Sequence, residues 1–140
     1  MTTKIHVAVD RSGRLLALQL SPGQYADITH ADDLVYAMIG RATMRRGNQQ
    51  SLPRYVIADK AYDADAFVDL LNGCGVTAVI PSRSNRKRQR EVDKERYRHR
   101  NQVERFFNRI KHCRRVATRY EKTARNFLAF ILLAALLVYI

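Results

Sequence analysis

The chain has 140 residues, 46% of them hydrophobic and 27% charged, which excludes a disordered tail and allows one domain with a real core. A formal net charge of +12 and a pI near 10.3 point to a polyanionic partner, most simply nucleic acid. Two cysteines, Cys74 and Cys113, lie far apart without metal-ligand spacing, so neither a zinc motif nor a disulfide framework is expected and a reducing cytoplasm is the default.

Lys4 to Asp10 alternates apolar and polar, with Ile5, Val7 and Val9 on one face, as a half-buried strand does. Arg11–Arg14 reads as a turn and Leu15–Leu20 as the second strand of a hairpin, ended by Ser21-Pro22-Gly23. Thr29–Ile39 carries Leu34, Val35, Met38 and Ile39 at helical spacing, and Gly40–Pro53 reads as a polar, basic loop. Tyr55–Ala58 is a short strand running into Asp59. Asp63 is placed to cap a helix over Ala64–Asn72, closed by Gly73 and Gly75. Thr77–Ile80 is another buried strand, Ser82–Arg90 a basic loop, and Asp93 or Lys94 to about Arg115 a long helix. Ala124–Ile140 is a second helix whose apolar run, Phe127–Ile140, is fourteen residues long. Spanning a bilayer takes roughly 20, so a buried core helix is expected rather than a membrane anchor. Lys4, His6 and Asp10 interrupt any apolar leader.

The order β-β-α-β-α-β-α-α implies an α/β fold, with a mixed sheet suggested by the antiparallel start. Charge divides the chain further. From Arg83 to Lys122 there are sixteen Lys/Arg against five Asp/Glu, whereas before Arg83 the counts balance at eight each. The expected parts are a sheet-rich 1–82, a basic helical 83–122 and an apolar packing helix 123–140.

Two places can carry chemistry. Asp59 follows a strand, and in open α/β sheets ligands bind beyond the carboxyl ends of strands, so it can hold a metal or merely cap a turn. Asp10 also ends a strand, but Asp10-Arg11-Ser12-Gly13 reads as a hairpin turn. On the long helix, Tyr97, Arg100, Glu104 and Lys111 fall within an arc of about 60°, beside an apolar stripe of Val103, Phe106, Phe107 and Ile110. Spacing alone favours an ordinary Arg100–Glu104 ion pair.

Tyr97-x2-Arg100-x3-Glu104-x6-Lys111 resembles the Tyr-Arg-Glu-Lys signature of DDE-class bacterial insertion-sequence transposases. Thr3-Lys4-Ile5-His6, Gly23-Gln24-x2-Asp27, Ala58–Asp63, Val103–Arg109 and Arg119–Phe127 resemble the same family, in the same order, over nearly the whole chain. The resemblance implies a ribonuclease-H-like fold and DNA cleavage and strand transfer with two Mg²⁺ (or Mn²⁺) ions held by three carboxylates. It would make Asp59 the second carboxylate and Glu104 the third. Tyr97, Arg100, Arg105, Arg109 and Lys111 would contact double-stranded DNA at the element ends.

One part of the pattern is missing. The family's first catalytic Asp lies on a strand before the Thr-Lys-Ile-His segment, which here begins the chain. The expectation is therefore a catalytic domain lacking its first strand, inactive alone, with a weak or incomplete metal site and marginal stability. An upstream-encoded part or a full-length homologue would be the completing partner. The competing readings are a non-catalytic DNA-binding remnant and, less in keeping with the resemblance, a small membrane-associated protein.

Overall fold

The computed structural model describes residues 2–45 and 52–139. β1, Thr3–Val9, pairs antiparallel with β2, Leu15–Pro22, in a register running from Thr3↔Pro22 to Ala8↔Ala17. The turn between them is built by Asp10, whose carboxylate accepts from the Ser12 and Arg14 amides at 2.8 and 2.9 Å. Gly13 takes φ +79°, a conformation that side-chain-bearing residues avoid. The hydroxyl of Tyr139, from the far end of the chain, donates to its carbonyl.

A 3-10 turn at Asp27–His30 leads into α1, Ala31–Arg45. This helix continues past Ile39, where a loop is expected from the sequence. Gly40 costs only about 1 kcal/mol in a helix, and the Arg, Ala and Met residues that follow it are good helix formers. The rest of the expected loop, residues 46–51, lies outside the described residues.

β3, Tyr55–Ile57, and β4, Thr77–Val79, pair in parallel and are joined through α2, Asp65–Gly73. After α2, Gly75 at φ +73° reverses the chain, and the Val76 amide donates to Leu71 O at 2.9 Å. The expected single mixed sheet is resolved into two two-stranded ladders, one antiparallel and one parallel. No described strand joins β1 to β3.

The expected long helix is also divided. α3, Lys94–Tyr97, passes through a 3-10 segment at Arg98–Arg100 into α4, Asn101–Ile110, and stops there rather than near Arg115. Cys113 is extended (ψ 101°), and a short α5, Arg114–Ala117, follows. The break lets Val116 turn into the core, a tertiary gain that outweighs helix continuation.

α6, Ala124–Val138, starts at Thr123, whose hydroxyl accepts from the Asn126 amide at 3.3 Å. It buries Phe127, Ile131, Ala134 and Ala135 against Phe106 and Ile110 of α4 and against the hairpin. The expectation of a fully buried helix holds for that face only, because Leu132, Leu133, Leu136 and Leu137 are exposed. Among the described residues no helix is long and apolar enough to cross a membrane.

Two cores result. One joins the hairpin to α4, α5 and α6; the other joins α1, α2, β3 and β4 around Val35, Phe67, Leu71 and Ile80. A cavity of about 730 Å³ separates the two strand pairs.

Candidate functional site

β3 delivers the chain to Asp59 at the cavity wall. The Asp59 carboxylate accepts from the Ala61 amide at 2.6 Å and so caps the 3-10 turn Lys60–Tyr62. Asp63, expected to cap α2, does something else. The residue before α2 is Ala64, which makes no side-chain cap, and the Asp63 side chain is fully buried. It accepts from the Arg83 amide at 2.7 Å, from Arg86 Nε at 3.0 Å and from the Arg90 guanidinium. Arg86 and Arg90 also reach Asp65, at 2.8 and 2.6 Å. This pair of aspartates clamps the basic loop after β4 onto the start of α2.

Burial pulls the Asp63 pKa upward, but the Arg83 amide and the Arg90 and Arg86 guanidiniums outweigh it and hold the group at about 2. A depressed folded pKa gives stability that is present above the unfolded value and lost as pH falls through about 2. Acid titration followed by NMR should therefore show the Arg86 and Arg90 side-chain N–H resonances staying in place to below pH 3, then moving together. Movement centred near pH 4 would mean that the clamp does not form.

Midway along β1, His6 is buried and shares short contacts with Ser21 Oγ (2.7 Å) and Tyr62 OH (3.3 Å). Lys4 pairs with Asp27 at 2.9 Å beside it. Burial lowers the His6 pKa, helped by His30 and Lys4 and opposed by Asp27. Burial, with the charges of Asp27 and Asp59, pushes the Tyr62 hydroxyl up to about 12. His6 carries no partner pattern in the sequence, and only the pairing of β1 with β2 brings Ser21 to it. Asp10 serves the hairpin turn, as its sequence neighbours suggest.

On the helical segment, Arg100 bonds Glu104 at 2.6 Å and lies over the Tyr97 ring at 5.8 Å. Three residues of the four-residue spacing thus form one row, and Arg100 lines the cavity that Asp59 also lines. The ion pair that spacing favours is the arrangement found. Glu104 faces solvent, with 56% of its side chain exposed. Lys111 is the C-cap of α4, still helical in its dihedrals, and its ammonium donates to Asn108 Oδ1 at 2.9 Å.

Arg109 bonds the Tyr139 hydroxyl at 3.3 Å. Both Asn108 and Tyr139 are neutral, and Lys111 and Arg109 make no ion pair among the described residues. Arg105 is exposed and makes no ion pair among the described residues. Lys94 and Arg98 are two further exposed cations of this kind that sequence reasoning passed over. Their spacing of four, repeated at Arg105 and Arg109, is the signal that could have found them.

No group of three or more His, Cys, Asp or Glu side chains among the described residues could hold a metal ion. Asp59 and Glu104, one capping a turn and the other ion-paired at the surface, do not fit a two-ion magnesium site by themselves.

Residues 1–139 match the model of the transposase DDE domain. This chain belongs to that family. It is 36% identical over 143 aligned positions to a candidate transposase for insertion sequence element IS6501 of Brucella ovis, covering 100% of this chain and 99% of the relative. It is 31% identical over 136 positions to a candidate transposase for insertion sequence element IS402 of Burkholderia cepacia. That match covers 97% of this chain but only 62% of the relative. The chain is thus a DDE transposase domain of the bacterial insertion-sequence kind, in a family that generally uses divalent metal ions and binds DNA. No solved structure matches it at a significant level.

Proposed function

We propose that this transposase-family chain acts in insertion-sequence transposition. It holds double-stranded DNA at the element ends on its basic helical segment and contributes Asp59 and Glu104 to strand cleavage and transfer. The observation that carries the reading is the placement of exposed, uncompensated cations, Arg105, Arg109 and Lys111, on the segment that holds the Tyr97–Arg100–Glu104 row. Backbone phosphates bind such a surface through charge, without any base-specific contact. Arg100, which lines the cavity, and Tyr97 beside it would contact a terminal nucleotide.

Cleavage requires a further carboxylate from outside the described residues, supplied by an upstream-encoded part or a full-length homologue. A cytoplasmic setting accords with this role. The expected result is that the purified chain shifts a duplex bearing the element ends but does not nick it in Mg²⁺ or Mn²⁺. Nicking by the chain alone would overturn the incomplete site. Absence of binding at low salt would overturn the DNA interface.

Among the described residues no three carboxylates gather at Asp59 or Glu104, which favours a second reading, a DNA-binding remnant with no part in catalysis. Cleavage assays with a full-length homologue separate the two. If this chain contributes its acids, Asp59→Asn abolishes any cleavage that its addition restores. If it is a remnant, adding the chain restores nothing.

A further inference from the structure

We propose that Arg83 is a positioning residue for Asp59: its guanidinium fixes the peptide plane that orients the Asp59 carboxylate. The inference rests on the reading of Asp59 as a cleavage residue. The parallel register of β3 and β4 brings the two residues to one edge. Ile57 pairs with Val79, and the Ala58 amide donates to Val79 O at 3.3 Å, so the chain leaves both strands at the same carboxyl end. β3 runs on to Asp59, and β4 runs on to Arg83, the first cation of the basic loop.

The turn Lys60–Tyr62 is a 3-10 segment of three residues, too short to satisfy its own carbonyls. Asp63 N–H bonds Lys60 O at 3.2 Å, and Ala64 N–H bonds Tyr62 O at 3.0 Å. Arg83 supplies the other donors. Its Nε reaches Lys60 O at 3.2 Å and its Nη2 reaches Ala61 O at 3.0 Å. Its backbone amide donates to the Asp63 carboxylate at 2.7 Å, directly after the turn.

One peptide unit links these bonds to Asp59. Lys60 C=O and Ala61 N–H belong to the same rigid plane. The oxygen of that plane accepts from Arg83, and its N–H donates to Asp59 Oδ1 at 2.6 Å. If the oxygen is released, the plane can rotate and carry the N–H off the carboxylate. The direction of the second carboxylate oxygen, the one left for a metal ion, changes with it.

Arginine suits this task. Its planar fork offers N–H donors in fixed directions, so two adjacent carbonyls are met at once, whereas a lysine ammonium is a single point. Arg86 and Arg90 of the same loop bind the carboxylates of Asp63 and Asp65. Arg83 makes no ion pair among the described residues, and carbonyls take its donors instead. In the sequence it is one more cation of a basic loop, so the competing role is a phosphate contact.

The test compares Arg83→Met, which keeps the backbone N–H to Asp63, with Arg83→Lys, both in the full chain. Hydrogen exchange of the Ala61 amide by NMR should be at least about tenfold faster in the Met variant and intermediate in the Lys variant. Arg86 and Arg90 should stay as resistant to trypsin as in the parent, because their bonds to Asp63 and Asp65 do not use the Arg83 side chain. Unchanged exchange at Ala61 would overturn the proposal. So would faster exchange that comes only with cutting at Arg86 and Arg90, since Arg83 would then merely support the loop.

Cleavage gives the second readout. The chain is added to a full-length homologue whose aspartate matching Asp59 is replaced by Asn, on a duplex bearing the element ends. A misplacement of about 1 Å can cost about 10²-fold in rate. At saturating DNA the Met variant should therefore cleave about 10–100-fold more slowly than the parent, with duplex affinity unchanged. Cleavage at the parent's rate would overturn the proposal. Weaker binding, with a salt dependence flatter by about 0.9 in slope, would make Arg83 a phosphate contact and overturn it as well. If even the parent chain restores no cleavage, the catalytic reading of Asp59 fails, while the Ala61 exchange still decides whether Arg83 fixes the turn.

Discussion

Asp63→Ala is expected to destabilise the domain by about 3–5 kcal/mol, because removing one partner of a buried ion pair leaves the other charges uncompensated. Asp63 is fully buried and accepts three hydrogen bonds, while Arg86 and Arg90 each keep only 24% of their side chains exposed. Asp65 recovers part of the loss, but at 73% exposure its attraction to the same arginines is screened by water. Small domains have about 5–15 kcal/mol in all, so this loss takes a large share of the total. Urea denaturation gives the stability change. Limited trypsin digestion should show early cutting at Arg83, Arg86 and Arg90, which the clamp shields. Asp63→Asn keeps the shape without the charge and should cost less. A variant within about 0.5 kcal/mol of the parent, with the loop still resistant, would show that Asp63 does not hold it.

That clamp shows where sequence reading stops. The hairpin, α2 and β4 are legible because their signals are local: alternation, Asp10 before a Gly turn, and Gly75 after a helix. Asp59 and Asp63 both look like caps, and which one is a cap is decided by arginines twenty to twenty-seven residues downstream. Helix ends fail for a related reason. α1 runs through Gly40 although the composition turns polar, and α4 stops at Ile110 because Val116 is drawn into the core. The apolar run of α6 has no polar face to show its orientation, so its exposed leucines cannot be foreseen. In the candidate site, Tyr97, Arg100 and Glu104 are legible from spacings of three and four. Lys111 follows from the same spacing, since it keeps helical dihedrals at the C-cap of α4 and its amide bonds Phe107 O.

Binding to duplex DNA should weaken by about 10²–10³-fold between 50 and 200 mM salt, if about four to six phosphates are neutralised with a slope of −0.9 each. The number follows from the charges left free. Lys94, Arg98, Arg105, Arg109 and Lys111 are exposed and make no ion pair among the described residues, whereas Arg100 is neutralised by Glu104 at 2.6 Å. Two substitutions should then move the slope in opposite directions. Arg105→Ala removes one phosphate contact and should flatten the log–log salt dependence by about 0.9. Glu104→Gln keeps the side-chain shape but frees the Arg100 charge. It should steepen the dependence by up to about the same amount and tighten binding at low salt. Both slopes can be measured by fluorescence anisotropy on one labelled duplex. If neither substitution changes the slope, the DNA lies elsewhere on the basic surface, the loop with Lys87 and Arg88 being the next candidate. If Arg105→Ala flattens it and Glu104→Gln does not steepen it, Arg100 points away from the phosphates and only the outer cations carry the DNA. Opposite shifts would place the Glu104–Arg100 pair at the DNA backbone, where the carboxylate weakens binding in the resting chain and its retention calls for a role other than affinity.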